Sequence, residues 1–296
     1  MKNTFKGAGV ALVTPFNENY SIDFVALKKL VRYQIDNGMD FLVVQGTTGE
    51  SPVLSQEEKM QVLQAVQEEN NNTLPIVYGV GGNDTVTVGE LLKKLPKGID
   101  GILSVSPYYN KPTQRGIYEH YKYIAGCTDL PIILYNVPGR TGSNVSAETT
   151  LELAKIDNIV AMKEASGDLG QIMEIVQHKP IGFSVLSGDD AIVVPLMSVG
   201  VEGVISVSAN VFPQIFSDMV NDASNGDFDL AKEGHYKLNS ITQMLFEEGN
   251  PGGAKVALAK IGLMNATMRR PLFPVSDELK TRIEQETMSL LSLKSI

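Results

Sequence analysis

The chain has 296 residues, 43% hydrophobic and 20% charged, which is enough apolar matter for a sizeable core and excludes a disordered chain. Its 34 acidic and 25 basic residues give a net charge of −9, which argues against a nucleic-acid or anionic-membrane partner. The single cysteine, Cys127, cannot form an internal disulfide, Met1-Lys2-Asn3-Thr4-Phe5 lacks an apolar signal core, and no apolar run approaches the roughly 18 residues of a membrane span. A soluble cytoplasmic protein is expected. Short apolar runs then alternate with amphipathic stretches. Gly9-Val10-Ala11-Leu12-Val13 reads as a first strand, and Asp23 to Asn37 as a helix, with Phe24, Leu27, Leu30, Val31 and Ile35 at helical spacing and Gly38 as its stop. Phe41-Leu42-Val43-Val44 is a second strand that runs into Gln45-Gly46-Thr47-Thr48-Gly49-Glu50-Ser51. Ser55-Gln56-Glu57-Glu58 then has the capping-box pattern of a helix start. Pro75–Val80, Ile102–Val105, Pro131–Tyr135, Ile159–Met162, Phe183–Leu186 and Gly203–Val207 complete eight strands, with a helix opening after Asp84.

Eight β-then-α units fit an α/β fold of the (β/α)₈ TIM-barrel type, and the near-continuous apolar strands suit a parallel sheet covered by helices. Beyond about residue 225 the strand signal ends. Phe228–Phe246, Gly253–Met264 and Ser276–Leu293 read as helices. Two units are therefore expected, a barrel over 1–225 and a C-terminal all-helical extension over 226–296.

Barrel enzymes place their chemistry at the C-terminal ends of the strands. The unusual residues of this chain fall there: Thr47-Thr48 after strand two, Tyr108-Tyr109 after strand four, Tyr135 ending strand five, Lys163 ending strand six and Gly188 after strand seven. Lys163 closes the apolar run Ile159-Val160-Ala161-Met162, and lysines are rarely buried without a partner. An ordinary role would have its ammonium snorkel out or pair with Glu164. A sharper one has an apolar pocket lower its pKa from about 10.4, giving a neutral amine that attacks a carbonyl. The product is a Schiff base, an electron sink for a carbanion at the adjacent carbon. Its proton transfers can run through Tyr and Thr hydroxyls, which donate and accept. Substrate carboxylates need oriented donors, such as a Thr-Thr-Gly turn and a bidentate arginine. Arg140, on the loop after strand five, is placed for the second task, although anywhere else on the chain a surface ion pair would be its default reading.

Gly46-Thr47-Thr48-Gly49-Glu50-Ser51, Pro107-Tyr108-Tyr109-Asn110-Lys111-Pro112, the stretch Tyr135 to Gly142, the lysine strand and Gly203–Val207 resemble the dihydrodipicolinate synthase (4-hydroxy-tetrahydrodipicolinate synthase) family, in order and over the whole chain. The resemblance implies condensation of pyruvate with L-aspartate-4-semialdehyde in the diaminopimelate route to lysine. It implies a Schiff base of pyruvate on Lys163, proton transfer by Tyr135, and a relay completed by Thr47 and Tyr109, the latter reaching a neighbouring subunit's site. Thr48 and the backbone at Ile205 match pyruvate-holding positions, Arg140 matches the arginine that binds the aldehyde's carboxylate, and Gly188 matches a glycine close to the site. A homotetramer built as a dimer of dimers is also implied.

The rival on the same barrel is an N-acetylneuraminate lyase or a 2-keto-3-deoxy-sugar-acid aldolase, which would share Lys163 and Tyr135. The paired threonines, paired tyrosines and Arg140 suit a small carboxylate-bearing aldehyde better than a polyhydroxy chain. A barrel that only binds or regulates would not need an apolar-set lysine. His120, His178 and His235 are dispersed without zinc spacing, and Gly81-Gly82-Asn83 and Gly252-Gly253 lack a phosphate-loop pattern and read as turns, so no metal or organic cofactor is expected. Cys127 reads as a small buried hydrophobe, and the helix-spaced Met60 and Met244 as core filler.

Relatives strongly inhibited by lysine carry histidines on the helix after the Gly-Thr-Thr-Gly-Glu-Ser turn and a glutamate on the next βα unit. Here Gln56, Lys59 and Thr87 stand at those positions, while Ser51, Asn83 and Tyr108 of the effector site are kept. A cationic Lys59, with Pro52 beside it, disfavours a cationic effector by like-charge repulsion. Lysine is therefore expected to inhibit weakly or not at all; half-inhibition at or below low-millimolar lysine in a steady-state assay would sink that expectation.

Overall fold

The computed structural model describes residues 5–292; Met1–Thr4 and Leu293, which closes the last helix read from the sequence, lie outside the described residues. The strands are β1 (Gly7–Ala11), β2 (Phe41–Val44), β3 (Ile76–Gly79), β4 (Gly101–Val105), β5 (Ile132–Asn136), β6 (Ile159–Glu164), β7 (Ser184–Ser187) and β8 (Gly203–Ser206). All pair in parallel with their sequence neighbours, and β8 returns to β1 to close the barrel. The fold is the (β/α)₈ barrel expected, with helices following the strands in turn.

Those helices are α1 (Phe24–Asp36), α2 (Gln56–Asn70), α3 (Thr85–Leu92), α4 (Gln114–Ala125), α5 (Pro138–Thr141), α6 (Ala147–Leu153), α7 (Leu169–His178), α8 (Val193–Ser198) and α9 (Pro213–Ser224). Local chemistry sets their starts. Asp23 caps α1, and Ser55 and Glu58 form the reciprocal capping box of α2. Asp84 accepts from the Val86 and Thr87 amides at the start of α3, and Asp168 from the Gln171 amide at the start of α7.

Side chains alternate between two environments along each strand. Outward residues such as Leu42, Ile102, Leu134 and Met162 join the helices in the main core. Inward residues fill the barrel: Phe41, Val43, Val77, Leu103, Ile133, Tyr135, Ala161 and Ile205 pack there with Phe5.

The C-terminal helices are α10 (Phe228–Glu247), α11 (Gly252–Lys260) and α12 (Asp277–Ser292). α10 lies on α8 and α9, and Leu238, Ile241, Leu245, Leu258 and Ile283 belong to the same core as Val31 and Phe216. Among the described residues no helix is long and apolar enough to cross a membrane.

Several local expectations are corrected. β1 starts two residues earlier than expected, because Gly7 and Ala8 already pair with Gly203 and Val204 of β8, and it ends two residues earlier, where the Val13 amide is taken by the Asn210 side chain rather than by the ladder. α11 stops at Lys260, four residues before Met264, where Gly262 adopts φ +77° and the Leu263 amide donates back to Leu258 O. Gly252-Gly253 is no turn but the opening of α11, and a Cβ at Gly253 would stand 2.7 Å from the Leu245 backbone, so glycine permits the close approach of α11 to α10. Met60 is exposed on α2, whereas Met244 does pack against the core. Cys127 is only half-buried, its thiol donating to Tyr123 O at 3.4 Å.

The extension is joined to the barrel by a buried ion pair. Lys255 Nζ of α11 lies 2.5 Å from Glu50 Oε1, both side chains fully buried, and donates to Thr267 O at 2.8 Å. Burial pushes the Lys255 ammonium down to about 8, although Glu50 pulls the other way. Removing one partner strands the other charge in the interior. Lys255→Met should lower stability by about 3–5 kcal/mol in chemical denaturation, and the Lys255→Met/Glu50→Gln double variant should recover part of it. A single variant as stable as the parent would contradict this account.

Candidate active site

At the C-terminal ends of the strands the barrel opens into a cavity of about 500 Å³ lined by Thr47, Thr48, Tyr135, Arg140, Lys163 and Gly188, among others. Six residues singled out from the sequence, drawn from four βα units, thus share one space. Lys163 is 5% exposed, and its Nζ lies 4.4 Å from the centroid of the Tyr135 ring. Among the described residues it makes no ion pair. The pairing with Glu164 does not occur, since the neighbours on β6 face opposite ways: Glu164 is buried on the outer wall, accepting from Asn136 Nδ2 at 3.0 and 3.1 Å, from the Ser166 amide at 2.8 Å and from Gln171 Nε2 at 3.1 Å. Burial pushes the Glu164 carboxyl up, against those hydrogen bonds.

An irregularity in β6 sets this phase. Ile159 pairs with Ile132 and Ala161 with Ile133, so Val160 is an extra residue in the ladder. Ile159 faces the helices, whereas Val160 and Ala161 both face the barrel interior. Strict alternation from Ile159 would have turned Lys163 outward; one inserted residue points it in. Gly188 keeps the space clear, for a Cβ there would lie 2.9 Å from Lys163 Cε and 2.8 Å from Ala165 Cβ.

The threonine pair sits in a tight turn after β2. Thr48 Oγ1 accepts from Asn250 Nδ2 at 3.0 Å, Gly49 O accepts from Thr14 Oγ1 at 2.7 Å, and Glu50, in the left-handed region at φ 55°, accepts from the Arg269 amide at 3.1 Å as well as from Lys255. Arg269 also forks onto Glu58, at 2.6 and 2.8 Å, and holds Glu58 down at about 2. On the other side of the mouth, buried Asp190 accepts from the Val207 and Ser208 amides at 3.0 and 2.7 Å, fixing the turn that leaves β8. Arg140 is exposed, lines the cavity, and makes no ion pair among the described residues, so the surface-pair reading does not describe it.

Comparison with known proteins matches residues 4–289 to the Dihydrodipicolinate synthetase family. The 4-hydroxy-tetrahydrodipicolinate synthase of Parabacteroides distasonis is 52% identical over 291 residues, 98% of each chain. The chain belongs to the dihydrodipicolinate synthetase family. Among solved structures, the dihydrodipicolinate synthase of Aquifex aeolicus superposes with a TM-score of 0.93 at 41% identity, over 96% of this chain and 98% of that one. The chloride-inhibited dihydrodipicolinate synthase of Acinetobacter baumannii, complexed with pyruvate, does so with a TM-score of 0.94 at 40% identity, over 97% and 99%.

Not every residue carried over from the dihydrodipicolinate synthetase family lies on this cavity. Tyr109 is 87% exposed, at φ 74°, on the loop after β4. Ile205 is fully buried inside the barrel beside Gly9, and Val207 is the β8-side residue that lines the cavity. Ser51 and Tyr108 line an adjoining cavity of about 340 Å³ together with Lys59, and Asn83 donates to Tyr108 O at 3.1 Å from behind. Lys59 is half-buried, and burial lowers its pKa. Thr87 bonds Asp84 at 2.6 Å as part of the α3 cap.

The sequence reading missed Asn250 and the α10 residues Thr242, Gln243, Phe246 and Glu247, which form one wall of the main cavity. They come from the extension, where a strand-end rule cannot find them. The Gly188 contact gives a direct test. Gly188→Ala should fold, costing about 1–3 kcal/mol, and should slow reaction at the Lys163 amine by about a hundredfold, read as the rate of pyruvate-dependent borohydride labelling; an unchanged rate would show that the lysine tolerates the added methyl.

Proposed function

We infer that the chain is a 4-hydroxy-tetrahydrodipicolinate synthase, a lyase that condenses pyruvate with L-aspartate-4-semialdehyde. The observation that carries the roles assigned below is the cavity in which an inward-facing, unpaired Lys163 touches Tyr135 and is flanked by Thr47, Thr48 and Arg140. Similarity at about half identity over the full chain supports the substrate pair, and pyruvate is bound in the Acinetobacter relative.

In this reading the neutral Lys163 amine attacks the keto carbon of pyruvate, giving a carbinolamine that loses water to form the protonated Schiff base. A proton leaves the methyl carbon, and the resulting enamine attacks the aldehyde carbon of the second substrate, whose oxygen takes up a proton. The substrate's own amino group then attacks the imine carbon, closing the ring and releasing Lys163. Tyr135 donates and accepts the protons, with Thr47 relaying them. Tyr109, turned away from its own cavity, completes the relay in a neighbouring subunit, which makes the working unit an oligomer, in the family's manner a homotetramer. Thr48 and the backbone near Ile205 hold the pyruvate carboxylate, Gly188 leaves room for the lysine, and Arg140 receives the carboxylate of the aldehyde. The chemistry belongs to the barrel of residues 1–225, and the helical unit 226–296 closes the cavity wall. Ser51, Asn83 and Tyr108 frame an effector cavity in which Lys59 opposes a cationic ligand, and the enzyme works in the cytoplasm without a cofactor beyond its covalent intermediate.

Incubation with pyruvate followed by borohydride should place a stable adduct on Lys163, mapped by peptide mass. Lys163→Ala should abolish it and cut turnover by about 10³-fold or more. Addition of L-aspartate-4-semialdehyde should then yield the cyclic product. An adduct elsewhere, or turnover of a sugar-acid aldol substrate in place of the semialdehyde, would overturn the assignment.

A further inference from the structure

Glu164 is 1% exposed, and among the described residues its carboxylate accepts from three donors: the Asn136 amide nitrogen, the Ser166 backbone and the Gln171 amide nitrogen. Among the described residues no cation faces it. A buried carboxylate without a counter-charge is costly, and an acceptor-only group is the one side chain that satisfies such a ring of N–H donors.

The ring extends to the loop that carries Arg140. Asn136 ends β5 and clasps the far end of that loop, donating to Asn144 Oδ1 at 2.7 Å and accepting from the Val145 amide at 3.0 Å. Gln171, from α7, bridges Glu164 to the same residue, accepting from Asn144 Nδ2 at 2.6 Å. Both ends of the segment between Asn136 and Asn144 therefore hang on Glu164, directly or through one side chain. Among the described residues the Arg140 side chain makes no hydrogen bond to these groups, and it lines the cavity, so its reach depends on the frame of the loop.

We propose that Glu164 is a positioning residue for the second substrate: it fixes the Arg140 loop and so sets the grip on the aldehyde's carboxylate, while its neighbour Lys163 handles pyruvate from the opposite face of β6. The proposal rests on the function inferred above.

The test is steady-state kinetics of Glu164→Gln with both substrates, beside borohydride trapping of pyruvate. Glu164→Gln keeps the shape but turns a donor against donors. The KM for L-aspartate-4-semialdehyde should rise by about tenfold, while the KM for pyruvate and the adduct yield stay within about twofold. Gln171→Ala, at a half-buried position, should move the same KM in the same direction by less, and it serves if Glu164→Gln fails to fold. An unchanged semialdehyde KM in folded variants would overturn the proposal, as would a parallel loss of pyruvate KM and adduct yield, the mark of a general structural role. Failure of the parent protein to trap pyruvate on Lys163 would instead refute the function on which the proposal rests.

Discussion

One extra residue in one strand governs the site. In a parallel ladder, paired residues share a face, so Ile132 with Ile159 facing the helices would have put Lys163 beside Asn136, outside the barrel. The register shifts by one residue at Val160, and from there Ala161 pairs with Ile133, Lys163 with Tyr135 and Glu164 with Asn136. Both polar residues of the strand end depend on that shift. Lys163 reaches a cavity where it meets an aromatic ring and, among the described residues, no ion-pair partner, and Glu164 reaches a wall of amide donors. Reversing the phase would bury an unpaired ammonium among the donors and set a carboxylate in the pocket meant for substrate carboxylates, an arrangement wrong at both ends.

The mouth of the barrel is held by parts far away in sequence. The turn with Thr47 and Thr48 is short and irregular, and Glu50 occupies the left-handed region, which a non-glycine residue adopts only where its surroundings dictate it. Here they do. Lys255 and the Arg269 amide converge on the Glu50 carboxylate, Asn250 on Thr48, and Thr14 on Gly49. The helical extension is thus more than a cover: it supplies one wall of the cavity and the cations and amides that fix the opposite turn. A reaction whose geometry must hold to fractions of an ångström gains from a turn anchored by buried groups rather than by solvent-exposed ones.

The barrel was legible because its strands are continuous apolar runs, its helices carry plain caps, and its reactive residues stand at strand ends. Ser55 with Glu58 announces a helix start through local chemistry alone, and it is found as read. What escaped depends on contacts between remote segments. Nothing local tells that the Val13 amide will be taken by Asn210, which ends β1 early, or that Gly253 opens a helix because α10 crosses within contact of it. The inserted Val160 is likewise invisible in an unbroken run of apolar residues, since only the partner strand reveals it. Asn250 and the α10 face were missed because cavity walls obey packing, not strand order. Met60 was misjudged for a related reason, as helical spacing marks a face but does not say whether another element covers it.

Two buried lysines compete for attention, and they separate what perturbs an amine from what makes it a nucleophile. Lys255 is the more deeply buried, and desolvation lowers its pKa to about 8. By that measure alone it would be the candidate of choice. Yet its Nζ is spent: it pairs with Glu50 at 2.5 Å, donates to Thr267 O and lies 4.3 Å from the centroid of the Phe16 ring, and Lys255 does not line the cavity that Lys163 enters. A carbonyl carbon could not approach without dismantling the anchor of the threonine turn. Lys163 is nearly as buried, but its amine ends in open volume beside a tyrosine, and its strand neighbour has been turned away from it. Access and the absence of a partner, both consequences of the phase of β6, decide which lysine can attack; the other holds in place the turn that lines the pocket.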